Sequence, residues 1–118
     1  MTPNPEDLFK EVAARHGRYA PGAYAFVWGA LGYTVRRLRR EGHITGRELL
    51  EGVRDLALEE FGGMAGMVFD LWGVRTSEDV GEIVFNLVDA GHMKRTETDS
   101  RGDFKGVFDF REVFRVRT

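Results

Sequence analysis

The 118-residue chain contains no cysteine and no glutamine, and only two asparagines, Asn4 and Asn86. Without cysteine there can be no disulfide, zinc knuckle, thiolate catalysis or iron–sulfur ligation, so packing alone must hold the fold. The scarcity of amides lowers the number of thermolabile side chains. Codon bias produces the same pattern, and no thermophily is inferred from it. No apolar run approaches the roughly 20 residues of a membrane span. The first residues, MTPNPEDLFKEV, lack the basic start and apolar stretch of a signal peptide, which predicts a cytoplasmic protein with no membrane partner. No GxSxG, GxxxxGK[ST] or HExxH pattern occurs, and the three histidines, His16, His43 and His92, show no metal spacing. Each lies beside a glycine at a predicted helix end, so no catalytic residue, metal or cofactor is expected.

What is present is an ordinary globular composition, 42% apolar and 31% charged. A chain of this length buries roughly two-thirds of its unfolded surface, which suits a single domain over 1–118. The formal net charge is -2, unevenly spread. Residues 1–45 hold seven cations and four anions, 46–92 three and ten, and 93–118 seven and five. The middle is acidic and the two ends are basic.

Helix signals punctuate most of the chain. Asn4, Pro5 and Asp7 suit a helix start, followed by the stripe Leu8, Phe9, Val12 and Ala13 up to Gly17. Pro21 opens a second helix, expected to run to Gly42. Its residues Tyr24, Val27, Leu31, Val35 and Leu38 recur at helical spacing, and Phe26, Ala30 and Tyr33 widen that face until it suits a central, buried helix. Gly29 and Gly32 leave a notch on it, each at a cost of up to about 1 kcal/mol against alanine. Thr45 and Glu48 form a capping box with Ile44 and Leu49 as its hydrophobic staple, starting a helix over 47–61. A short helix over 64–72 is expected to bury Met64, Met67, Val68, Leu71 and Trp72. Thr76 with Asp79 caps a fifth helix over 77–90, whose Val80, Ile83, Val84, Leu87 and Val88 form the apolar stripe. Beyond Gly91 the pattern reads as a strand, a turn and a returning strand with Phe108 and Phe110 on one face. Asp109 and Glu112 alternatively cap a final helical turn burying Val113 and Phe114.

These elements predict an α+β, mostly helical fold of about five helices plus a C-terminal β-hairpin. The order is winged-helix-like: an N-terminal helical pair over 1–42 precedes a winged-helix-like core over 45–116. The runs RYAPGAYAFVWGALGYTVRRL, HITGRELLEGVRDLALEEFG, WGVRTSEDVGEIVFNLVDAGHM and DSRGDFKGVFDF, from about Arg18 to Phe110, resemble an uncharacterised family of small bacterial single-domain proteins with no established activity. The resemblance implies a recurrent single domain and nothing about substrate. That family carries larger or acidic residues where this chain has Gly29 and Gly32.

Several clusters have the chemistry to bind a partner. Arg36, Arg37, Arg39 and Arg40, with Arg47 and His43 nearby, suit an anion or an acidic protein, although cations at a helix C-terminus also complement the macrodipole. Lys94, Arg95, Arg101 and Lys105 are the candidate wing contacts. Glu82 and Asn86 lie one turn apart on a polar face extended by Asp79 and Asp89, as a carboxylate site or a solvated helix side. Trp28 and Phe104 fall off the main stripes, as interface aromatics or as core. A duplex-reading winged helix needs cations and amides at the start of its third helix, where this chain has Ser77, Glu78, Asp79 and Glu82. The expected function is therefore a non-enzymatic protein-interaction domain, docking or adaptor, open to self-association. The alternative is nucleic-acid binding through the arginine cluster and the wing.

Overall fold

The structure, a computed structural model, describes residues 5–39, 44–93, 104–107 and 110–114. In chain order these form α1 (Pro5–His16), α2 (Pro21–Leu38), α3 (Gly46–Phe61), a 3₁₀ turn (Gly62–Met64), α4 (Ala65–Trp72), α5 (Ser77–Asp89) and α6 (Phe110–Val113). Four of them, α1, α2, α3 and α5, reach twelve residues or more. No described helix is long and apolar enough to cross a membrane.

Helix α2 is the hub. Its near all-round apolar surface lets it pack against α1, α3, α4 and α5 at once. Tyr24, Val27 and Ala30 are fully enclosed. At the crossing with α3 the Thr34 side chain fills the space beside Gly52, where a Cβ would lie 1.9 Å from Thr34 Oγ1. The Thr34 hydroxyl is satisfied locally, donating to the Ala30 carbonyl at 2.7 Å. Helix α2 stops at Leu38, short of the expected Gly42. Arg39 adopts a left-handed φ of 52°, and its N–H turns back to the Arg36 carbonyl at 3.3 Å.

The two capping boxes form as read, while the Asn4 start lies outside the described residues. Thr45 accepts from the Glu48 amide at 3.1 Å while Glu48 accepts from the Thr45 amide at 3.0 Å. Ile44 and Leu49 are both buried beside that box. In α5 the reciprocal pair is Asp79 N–H to Thr76 Oγ1 at 3.3 Å and Thr76 N–H to Asp79 Oδ2 at 3.1 Å.

The expected fold class does not hold. Among the described residues there is no strand or sheet, so the fold is mostly helical rather than an α+β winged helix with five helices and a hairpin. Part of the proposed hairpin, residues 94–103 with Phe108 and Asp109, lies outside the described residues. What is described of the return is a turn at 104–107 and then the helical turn α6, the alternative read for the tail, with Phe114 buried and Val113 partly so. Aromatic packing accounts for the difference: the rings of Phe110 and Phe114 stack on Phe69 of α4 at 5.2 and 5.3 Å, and on each other at 5.3 Å. Residues four apart stand on one side of a helical turn, whereas in a strand they would lie roughly 13 Å apart and could not share one ring. Phe104 is fully buried against α5, where a Cβ at Gly81 would be 2.9 Å from its own Cβ.

Candidate functional site

The start of α5, read from sequence as an outward acidic face, is largely covered. Ser77 is buried, donating to the Phe104 carbonyl at 2.6 Å and accepting from the Val107 amide at 3.1 Å. Glu78 is exposed and accepts from the Gly106 amide at 3.2 Å; that bond is the main reason its pKa lies below the usual carboxylate range. Asp79 turns inward. One carboxylate oxygen accepts from the Tyr19 hydroxyl at 2.6 Å and from Arg18 at 3.3 Å, and the other from the Arg75 amide at 2.9 Å. Burial by itself would raise the Asp79 pKa; these hydrogen bonds, the Thr76 amide and the Arg18 charge outweigh it and hold the carboxyl below its ordinary value. A surface arranged this way is a clasp between the α1–α2 turn and α5.

Of the candidate pair Glu82 and Asn86, Asn86 has a partner in the core. The Asn86 amide donates to the Tyr24 hydroxyl at 2.8 Å, a contact between α5 and the first turn of α2. Burial pushes the Tyr24 pKa up. The single asparagine inside a described helix is therefore a partner for a core tyrosine. Among the described residues no cluster of three or more acids or histidines can hold a metal ion.

A groove of about 700 Å³ opens along another face of α2. One wall is α2 itself, with Trp28, Leu31, Val35 and Arg36 around Gly29 and Gly32; the other is Gly91, His92 and Met93 after α5. Gly91 takes a left-handed φ of 82°, and the His92 amide returns to the Leu87 carbonyl at 2.9 Å, which folds this segment back toward α2. A Cβ at Gly29 would meet nothing within 4 Å, and one at Gly32 would meet only the Arg36 guanidinium at 3.2 Å. The two glycines are thus the floor of an open groove, with the end of Arg36 lying above it. Trp28 leans its ring on Phe9 at 5.8 Å and remains 47% exposed at the rim. Phe104, its companion in the sequence reading, is core.

The arginine cluster divides. Arg37 pairs with Asp55, whose other oxygen accepts from Arg54 at 2.9 Å, and lies 5.9 Å from the Tyr33 ring. Arg47 pairs with Glu51 at 3.5 Å, one turn along α3. Arg36 and Arg39 have no ion-pair partner among the described residues. Arg40, like His43 and the wing candidates Lys94, Arg95 and Arg101, lies outside the described residues. Lys105 is exposed in the turn after Phe104.

One face escaped the sequence reading. Met64, Met67 and Leu71, expected to be buried, are 53%, 57% and 78% exposed, while Ala65, Phe69 and Trp72 face the core. The signal available was the spacing of three and four, which marks a shared face without saying which way it points. No family model, curated protein or solved structure matches the chain, so geometry alone carries the functional reading.

Proposed function

We propose that this protein is a non-enzymatic docking domain of the cytoplasm that holds an acidic, apolar-faced helix of a protein partner in the groove along α2. The observation that carries the reading is the groove floor. Each glycine inside a helix gives up about 1 kcal/mol against alanine, and neither Gly29 nor Gly32 recovers it by packing against a described neighbour. Small residues let a second helix approach closely, and the half-exposed Trp28 at the rim is the kind of aromatic that anchors an interface. Arg36 gives the apolar groove a positive end, which selects a partner carrying carboxylates beside its apolar stripe.

The reading is tested by fluorescence anisotropy with three labelled probes: a helical peptide with a Leu/Met stripe flanked by glutamates, a duplex, and a single-stranded oligonucleotide. The peptide is expected to bind, and Gly32→Leu to abolish its binding. Salt-sensitive oligonucleotide binding lost in Arg36→Ala with Arg39→Ala, with no peptide binding, would replace docking by the nucleic-acid alternative.

A further inference from the structure

We infer that the occupant of the α2 groove is the α4 ridge of a second copy of this chain, so that copies join head to tail. The inference rests on the docking reading and names its partner.

The ridge is Met64, Met67 and Leu71. Their spacing of three and four places them along one side of the 3₁₀ turn and α4, and all three are more than half exposed. A leucine left 78% in water gains little from folding. Contiguous apolar exposure of this kind marks an interaction surface, and unbranched methionines adapt to an irregular wall. The chain cannot satisfy this ridge from its own groove. Helix α4 is held by its opposite side, where Trp72 and Phe69 meet Phe26 of α2 with ring centroids 5.7 and 5.5 Å apart.

Charge indicates what the ridge meets. Glu59 and Glu60 end α3 immediately before the ridge begins and are exposed, while Asp70 on α4 is already paired with Arg75 at 3.1 Å. The last turn of α3 has no basic residue. Acids there oppose the helix macrodipole, which favours cations at a C-terminus, so helix stability does not explain them. The groove has the reverse sign. Arg36 lines it with its guanidinium over the floor, and has no acidic partner among the described residues. A convex, acid-flanked apolar ridge and a concave, arginine-ended apolar groove on one chain are complementary in shape and sign.

The two surfaces differ, so the contact is heterologous: each copy offers a groove to one neighbour and a ridge to another, giving chains or closed rings. One eight-residue helix in one groove lies at the small end of interface sizes, below about 1,200 Å² in total, and the association is correspondingly weak and transient.

Sedimentation equilibrium of the full chain from ~10 µM to ~1 mM covers that affinity range. The mean mass of the wild type is expected to rise with concentration, less steeply at high salt. A groove-blocked variant, Gly32→Leu or Arg36→Glu, and a ridge-blocked variant, Leu71→Lys or Met67→Lys, are each expected to remain monomeric. All four positions are exposed or line the open groove, and circular dichroism verifies that each variant folds. An equimolar mixture of one variant from each class retains one intact groove and one intact ridge, and is expected to form a species of twice the monomer mass and nothing larger. Failure of the mixture to pair, or self-association undiminished in either variant class, overturns the inference. A wild type monomeric at ~1 mM also overturns it, while the docking reading is then decided separately by the peptide titration.

Discussion

Tyr19 donates its hydroxyl hydrogen to Asp79 over 2.6 Å, joining the turn between α1 and α2 to the first turn of α5 across sixty residues of sequence. The same carboxylate caps α5 through the Thr76 amide and takes the Arg75 amide at 2.9 Å, so one side chain closes a helix start and a tertiary contact together. Hydrogen bonds to charged groups contribute about 1.5–3 kcal/mol. Tyr19→Phe, which keeps the ring and removes the donor, is expected to lower unfolding free energy by about that amount in urea titrations. An unchanged midpoint would show that the bond carries no net stability.

The pair also sets how stability varies with pH. The folded pKa of Asp79 lies below its ordinary 3.8. Its contribution is therefore complete above that value and is lost as pH falls through the folded one. Tyr19 is shifted the other way, raised above 10.0 by burial and then by Asp79. Its contribution is complete below pH 10 and fades as pH rises toward the folded pKa. Thermal melts are expected to hold between about pH 5 and 9 and to decline on both sides. Tyr19→Phe is expected to shallow the alkaline decline; an identical alkaline limb would rule out this pair as its source.

Gly52 is required by a close approach rather than by a turn. Adding a methyl group there drives it into Thr34 Oγ1, 1.9 Å away, in a buried helix crossing. Overpacking of this type costs about 1–3 kcal/mol. Gly52→Ala is expected to destabilise by that amount, and Thr34→Ala in the same chain to recover part of it. Strict additivity in the double-mutant cycle would show that the two sites are not in conflict.

Gly29 is the opposite case, a helical glycine whose Cβ would meet nothing within 4 Å. Gly29→Ala is expected to raise stability by about 0.5–1 kcal/mol, measured as a shift in denaturation midpoint. A loss instead would mean that something packs on this floor in the free protein.

Arg39 holds a left-handed φ of 52° at the end of α2. An L-residue pays roughly 1–2 kcal/mol for that conformation and glycine does not. Arg39→Gly is expected to stabilise the fold by up to about 1 kcal/mol while removing one cation from the arginine cluster. Lower stability would show that its side chain contributes more than its backbone loses.

The features legible in the residue order are those governed by a few neighbouring positions. Thr45 with Glu48 and Thr76 with Asp79 specify their helix starts because a capping box closes within four residues. The apolar periodicity of Pro21–Leu38 marks a central helix because four neighbours need four apolar sides. Length and the absence of cysteine set the terms under which packing had to suffice.

Only the tertiary structure decided the rest. Helix α4 is apolar nearly all round, so its sequence suits either orientation; Phe26, Phe110 and Phe114 settle it by claiming the Phe69 and Trp72 side and leaving Met64, Met67 and Leu71 in water. Asp79 looked like part of an outward acidic face until Tyr19 and Arg18, sixty positions away, closed over it. The return after Phe104 has a strand-like alternation, yet two phenylalanines sharing one ring on α4 wind it into a turn of helix. Local rules act through bonds between near neighbours, whereas the choice of buried face depends on which distant surfaces arrive, and that is a property of the packed chain.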